Sequence, residues 1–394
     1  MDSYASFRSR DFRLFLAGSF AGNFAFQMLF VAVGWDLYQQ TRSAVVLGDV
    51  GFVQVAPFLV FALAAGHIAD RRERRAVILL TQALTAAAAA ILCGTFRPVW
   101  LIYSALLLRS MARSFQAPAR VAILPHVAPE GALSNAITWN SSAQEIANVS
   151  GPALAGVLIA SSGTRTVYIS QLFCELLTMV CFAFIRARSR AEGSPEKRGM
   201  LDGVRFVREN KLILSAMSLD LLAVLFGGAT ALLPIFAVDI LHSGARGLGW
   251  LRAAPSIGAV SMALILSHRP RARNAGRVLL AAVAGFGAAT IVFGISRHFW
   301  LSWAMLLLTG AFDNVSVVLR QSLVQSKTPD FLKGRVLAVQ NIFISCSNQL
   351  GAVESGWTAA WFGPVASVAA GGVATIAIVG WFATQSAALR RWTQ

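Results

Sequence analysis

Six stretches of this chain run for about twenty residues or more without an Asp, Glu, Lys or Arg: 14–35, 50–69, 76–96, 146–164, 278–296 and 355–389. At 1.5 Å per helical residue, each is about long enough to cross a hydrocarbon layer of ~30 Å. The last could hold most of two helices, with Gly363-Pro364 breaking it. A soluble domain keeps about a quarter of its residues charged. Here 13% are charged and 56% are hydrophobic. A disordered chain needs the opposite balance. The short alternating strands of a β-barrel are absent. The sequence predicts an all-α membrane protein that crosses the bilayer many times.

The expected spans are 12–36, 45–67, 74–96, 99–119, 133–158, 165–186, 212–236, 247–267, 276–296, 299–320, 336–358 and 363–386. The net charge of +16 invites a nucleic-acid partner. Placement of the charges argues against one. With the N-terminus inside, 27 of the 34 Lys and Arg fall on the cytoplasmic side, Arg113, Arg120 and Arg320 among them. Six fall outside, and Arg109 lies within the fourth span. This bias sets both termini in the cytoplasm and allows contact with anionic lipid. The first apolar run is too long for a signal peptide and lacks a clear cleavage site, so it is expected to stay as the first span. Cys93, Cys174, Cys181 and Cys346 lie in apolar segments with no CxxC pair and read as buried free thiols.

The longest polar stretch, 187–211, divides the chain into a six-helix bundle at 1–186 and another at 212–394. Within it Leu201, Val204 and Val207 recur beside Asp202, Arg205 and Arg208, which predicts a short helix lying on the inner membrane surface. The halves are repeats. A shift of 200 superposes Trp100 on Trp300, Arg120 on Arg320, Pro129 on Pro329, Asn148 on Asn348 and Gly151 on Gly351. A shift of 198 superposes Gly51-Phe52 on Gly249-Trp250 and Ala56-Pro57 on Ala254-Pro255. Two six-helix halves of the same orientation describe a parallel repeat.

Gly66-His67-Ile68-Ala69-Asp70-Arg71-Arg72-Glu73-Arg74-Arg75, in the first inner loop, resembles the loop signature of the major facilitator superfamily. Gly151-Pro152-Ala153-Leu154-Ala155-Gly156 resembles the Gly-Pro motif of its antiporter branch, and Arg109 stands where many members carry arginine. Three further stretches are similar to the enterobactin-exporter-like, or transmembrane secretion effector, branch of drug/proton antiporters. They begin at Val204, Gly249 and Gln325. The resemblance covers almost the whole chain. It implies a twelve-helix fold with a cavity lined by the first, fourth, seventh and tenth spans. It also implies export of amphipathic small molecules, drug- or siderophore-like, across the inner membrane against inward proton flow.

Physical chemistry gives these motifs their roles. Gly66 permits close helix approach. A carboxylate at Asp70 facing a helix N-terminus gains roughly 0.3–1 kcal/mol. Gly66, Asp70, Arg71 and Arg75 therefore form a candidate conformational latch, and the second half lacks its acid. Pro152 beside Gly151 permits a kink or tight packing, with Gly156 one turn on. Solvated turns and plain helix packing are the alternatives.

Ionisable groups within spans are costly and face water or one another. The inventory is Arg109, Glu145, Glu175, Asp220, Asp313 and Glu354. Apolar surroundings favour a neutral carboxyl, as a proton carrier requires. Asp313, then Glu145, then Asp220 are the proton-coupling candidates. Arg109 can pair with an acid or bind an anionic group. Substrate-cavity candidates are Arg109, Asn23, Phe24, Gln27, Phe226, Asn314 and Asn341, for which packing or interhelical hydrogen bonds are the plainer role. Asp36, Asp49, Asp239 and Arg252 read as interfacial.

The five histidines sit in loops or at helix ends without ligand spacing, and no GxxxxGK[ST] loop occurs. No enzyme, metal site or organic cofactor is expected. The expected partners are a small-molecule substrate, protons and membrane lipids, with no nucleic acid, and the protein is expected to be a monomer. A lipid or lysolipid flippase, or a uniporter, is the alternative within the fold. A non-transporting receptor or scaffold is the alternative outside it.

Overall fold

The computed structural model describes residues 4–71, 73–187, 200–268 and 274–393, without the side chains of 62–71, 200–201 and 330–331. The chain is helical nearly throughout. The first half holds α1 (Arg10–Thr41), α2 (Ala44–Arg71), α3 (Arg74–Leu92), α4 (Val99–Val127), α5 (Leu133–Ser162) and α6 (Thr164–Ala183). A short α7 (Met200–Glu209) follows. The second half holds α8 (Lys211–Gly227), a single turn α9 (Leu233–Ile235), α10 (Gly244–Ser267), α11 (Ala275–Ile295), α12 (Phe299–Lys327), α13 (Asp330–Phe362), α14 (Pro364–Gln385) and a terminal turn α15 (Ala387–Arg390).

Helix occupies most of each expected span, though α3 stops at Leu92, α6 at Ala183 and α8 at Gly227, short of the expected ends at 96, 186 and 236. Among the described residues, ten helical segments are long and apolar enough to cross a membrane. The two outside that set are α4 and α5, of 29 and 30 residues. Their length suffices, but their composition is less apolar. α4 carries Arg109, Arg113 and Arg120, and α5 carries Asn140, Ser141, Ser142, Gln144 and Glu145 in one run.

Local rules explain the breaks. Gly163 and Gly363 stand at the same place of the repeat, with φ of 81° and 86°, and each turns the chain between two helices. A side chain would be strained there. Pro364 then opens α14, where its missing N–H has no bond to lose. Asn210 caps α8, its Oδ1 accepting from Ile213 N at 3.2 Å. The seventh span departs from the single helix expected over 212–236. It stops at Gly227-Gly228, passes through a 3-10 turn (Ala229–Leu232) and α9, and ends in a π-helical turn (Phe236–Ile240). Two adjacent glycines weaken the helix, and Pro234 supplies no donor to mend it.

Contacts group the chain into two units. Unit one is Met1–Gln40, Val53–Gly193 and Gly244–Ala253; unit two is Thr41–Phe52, Ser194–Ser243 and Ala254–Gln394. Neither is continuous, because the first turns of α2 and α10 pack away from the rest of their helices. In unit one, a Cβ on Gly156 of α5 would lie 2.9 Å from Gly249 Cα of α10. In unit two, a Cβ on Gly48 of α2 would lie 2.9 Å from Gly356 Cα of α13. Glycine at all four positions lets the backbones meet.

Phe12, Ile78, Ile123, Phe182 and Ile185 centre the core of unit one. Ile213, Leu219, Leu279, Leu323 and Val336 centre that of unit two. Many large apolar side chains remain exposed, as a lipid-facing surface requires. Phe96, Trp100, Trp300, Trp361 and Phe362 cluster at helix ends, where interfacial aromatics belong.

Candidate functional site

The site begins on α4. Arg109, Arg113, Gln116 and Arg120 are four, three and four residues apart, so they share one helix face. That face borders a cavity of about 480 Å³ within unit one. α1 contributes Phe15, Ser19, Gly22 and Asn23, and α5 contributes Leu133, Ile137, Asn140 and Gln144. Arg113 and Arg120 were counted on the cytoplasmic side. Arg113 lies inside the expected span 99–119, and α4 runs eight residues past that boundary to take in Arg120 as well.

A buried network anchors the stripe. Arg109 Nη1 donates to Glu175 Oε1 at 2.5 Å, with the two side chains 8% and 2% exposed. Gln82 Nε2 donates to the other carboxylate oxygen at 2.5 Å and to the Glu175 carbonyl at 3.1 Å. Gln82 Oε1 accepts from Gln116 Nε2 at 2.8 Å and from Arg120 Nη2 at 3.4 Å. α3, α4 and α6 are thus joined by one continuous chain of hydrogen bonds, most of them charge-assisted. Phe26 of α1 packs against two of the arginines. Its ring lies 3.8 Å from the Arg113 guanidinium carbon and 5.2 Å from that of Arg109.

Two other networks belong to unit one. Gln27 Nε2 donates to Asn148 Oδ1 at 2.6 Å, and Asn148 Nδ2 donates to Glu145 Oε2 at 3.4 Å. A Cβ on Gly151 would lie 3.1 Å from the Phe24 carbonyl, so α5 meets α1 closely beside this chain. The Gly151-Pro152 motif therefore faces α1 at Gly151, while Pro152 O and Gly156 face Gly249 of α10. Away from the cavity, Asp36 Oδ2 accepts from Arg97 Nε at 3.1 Å and from Tyr168 Oη at 3.0 Å. Asp36 is buried, not the solvated interfacial acid the sequence led one to expect.

Unit two carries a related but opposite arrangement. Asp220 Oδ2 and Arg320 Nη1 are 2.5 Å apart, with the side chains 7% and 3% exposed. Asp220 is therefore no free acid at a helix end, and Arg320 is no loop cation. Asp313 lies one face along α12, half-buried, with Arg320 as its electrostatic neighbour. Asn314 Oδ1 is buried without a hydrogen-bond partner.

Of the expected cavity residues, Arg109 and Asn23 line the cavity. Phe24 stacks on Phe20 at 5.7 Å, and Gln27 is engaged by Asn148. Phe226 is half-buried beside the α8 break, and Asn341 is exposed on α13. The surroundings of Gly66 and the side chains of Asp70 and Arg71 lie outside the described residues; Arg75 Nη2 donates to the Ala183 carbonyl. Asp202 of α7 stands 3.5 Å from Arg335 at the start of α13. Sequence reasoning missed Gln82, Arg113, Gln116, Arg120 and Phe26, and it left Glu175 unranked. The spacing on α4 was the available signal. Among the described residues no cluster of His, Cys, Asp or Glu could hold a metal ion.

A many-helix membrane bundle with a polar stripe set in an apolar cavity is the architecture of a small-molecule carrier. The fold is shared by the crystal structure of a peptide transporter, POT, at a TM-score of 0.80 over 98% of this chain and 96% of that one, with 9% identity. A bacterial homologue of the human lysosomal transporter Spinster matches at 0.72 over 98% and 99%, with 15% identity. The chain belongs to the transmembrane secretion effector family, whose model matches residues 1–394. It is 25% identical to an enterobactin exporter of Citrobacter koseri over 93% of this chain and 89% of that protein. It is 25% identical to a staphyloferrin A transporter of Staphylococcus aureus over 84% of each. It is 21% identical to macrolide efflux protein A of Streptococcus pyogenes over 90% of each. It is thus a multi-pass inner-membrane protein and a secondary transporter of small molecules, not an enzyme.

Proposed function

We propose that this protein exports amphipathic small molecules across the inner membrane by alternating access, coupled to inward proton flow. The cavity of unit one carries the reading. Its volume of about 480 Å³ and its aliphatic wall suit the body of a drug- or siderophore-sized molecule. Its guanidinium and amide stripe supplies the few polar groups that orient one. The export direction draws support from the names of the relatives and from Gly151-Pro152.

In this reading the moving bodies are the six-helix halves 1–186 and 212–394, with both termini cytoplasmic. The glycine contacts at Gly156–Gly249 and Gly48–Gly356 let α5 part from α10 and α2 from α13. Gly66, Asp70, Arg71 and Arg75 form the inner latch. Protons load on Asp313, which has no direct ion-pair partner among the described residues, or on Glu145, which Asn148 ties to Gln27 of α1. Asp220, the third candidate, is committed to Arg320.

The test uses inside-out vesicles holding an imposed proton gradient. Siderophores, lipophilic cations and lysolipids are added in turn while luminal pH is followed. One compound should drive proton release, and Asp313→Asn or Glu145→Gln should abolish it. Substrate movement with no proton flux in any vesicle would refute antiport and leave a uniporter or flippase.

A further inference from the structure

The second half of the repeat shows what the first half lacks. Arg120 and Arg320 superpose under the shift of 200, and each guanidinium reaches the first helix of its own half. Arg320 meets Asp220 at 2.5 Å. The shift of 198 that relates Gly51 to Gly249 relates Gly22 to Asp220. Arg120 does lie against Gly22, where a Cβ would come within 3.1 Å of its Nη2. The same cation is therefore neutralised in one half and left without a carboxylate in the other.

The charges around the cavity do not balance. Its lining holds Arg109, Arg113 and Arg120 against one carboxylate, Glu175. Glu175 is used up, with one oxygen on Arg109 and the other on Gln82. Arg120 makes one long hydrogen bond, to the neutral Gln82, and its buried Nε has no partner. Arg113 rests one face on Phe26 and is otherwise exposed to the cavity. Under the shift of 200 its counterpart is Asp313, so the stripe reverses sign between halves. Cations within a membrane-embedded segment are expensive unless something compensates them. The guanidinium carbons of Arg113 and Arg120 lie 3.8 Å and 5.1 Å from the rings of Phe26 and Phe182, and an anion is the partner that would meet their in-plane donor edges. Those planar donor edges match carboxylate or phosphate oxygens.

We propose that Arg113 and Arg120 bind an anionic group of the substrate, at the place that Asp220 fills in the second half. The site takes an anionic amphiphile, with its charged head at the two guanidiniums and its apolar body against Val121, Leu124 and Ile137. This assignment rests on the carrier reading above and names the charge of what is carried.

The test measures binding alone, so it does not depend on proton coupling. The full-length protein is placed in nanodiscs of zwitterionic lipid, and fluorescence polarisation follows dansyl-glutamate and dansyl-cadaverine, which share a fluorophore and differ in charge. The anionic probe should bind, and the cationic one at least about tenfold more weakly. Arg113→Gln and Arg120→Gln should each weaken the anionic probe by about tenfold or more. Gly22→Asp, which restores the carboxylate of the other half, should abolish its binding, whereas the equally bulky Gly22→Asn should retain it. That contrast separates charge from crowding, since the three atoms nearest a Cβ at Gly22 are side-chain atoms of Arg120 and Thr178. Displacement by phosphatidylglycerol in the disc, but not by soluble glutarate, would assign the anion to a lipid headgroup. Equal binding of both probes, no binding of the anionic one, or indifference to the two arginine variants would overturn the site. Anion binding without transport in vesicles would sink the export reading and leave the site standing.

Discussion

Glu175 holds one donor from α3 and one from α4 with a single carboxylate, and its side chain is almost wholly buried. Removing one member of a buried ion pair costs far more than removing both, roughly 3–5 kcal/mol in protein interiors, because the remaining charge stays unpaired. Glu175→Gln should therefore lower the thermal midpoint in detergent by several degrees. Arg109→Met combined with Glu175→Leu should recover most of the loss. An unchanged midpoint for Glu175→Gln would mean that the pair bears no weight. At this scale the sequence was partly legible. Arg109 stood out as a charge inside a span, and Asp220 and Asp313 did so for the same reason. Arg113, Arg120 and Arg320 did not, because charge-bias reasoning assigns any arginine near a span end to the cytoplasm. Only the i, i+4, i+7, i+11 spacing distinguishes a helix that continues past the expected end of its span, and the spacing repeats at 309, 313, 316 and 320.

α5 is the element on which several features converge. Gly151 meets α1, and Pro152 and Gly156 meet Gly249 on α10. The backbone contact leaves no room for a side chain, since a Cβ on Gly156 would lie 2.6 Å from the Ala245 carbonyl. Gly156→Leu should push α10 away. Cysteines placed on α5 and α10 one turn from this contact should then lose their disulfide cross-link, while a pair on α11 and α14 keeps its own. Retained cross-linking on α5 and α10 would show that the helices accommodate the bulk. The helices themselves were readable from hydrophobic runs, and the break before α14 from Gly363-Pro364. The interruption at Gly227-Gly228 was not, because hydropathy continues unbroken through it. The glycine pair followed by Pro234 was the sign. Which helix a glycine faces is decided by tertiary packing, and no local rule supplies it.

Across the molecule, the duplicated halves have diverged in charge while keeping their skeleton. The repeat made the architecture legible from positions such as Trp100 and Trp300. The differences at Gly22 and Asp220, and at Arg113 and Asp313, are the ones on which the proposed anion site rests. They become meaningful only once the structure shows which helix each arginine reaches. The Arg109–Glu175 pair adds a constraint of another kind. Its partners are 66 residues apart, so at ribosomal speeds of about 5–20 residues per second Arg109 is made roughly 3–13 s before its carboxylate exists. During that interval α4 carries three arginines and only Gln82 of α3 is at hand to receive one. Nascent chains that end between α4 and α6 should leave α4 incompletely inserted in a glycosylation-mapping assay, and chains that include α6 should complete it. Equal insertion at both lengths would contradict this order. α4, with its three arginines, thus depends on a segment the ribosome has not yet delivered, and the translocon must shelter it in the meantime.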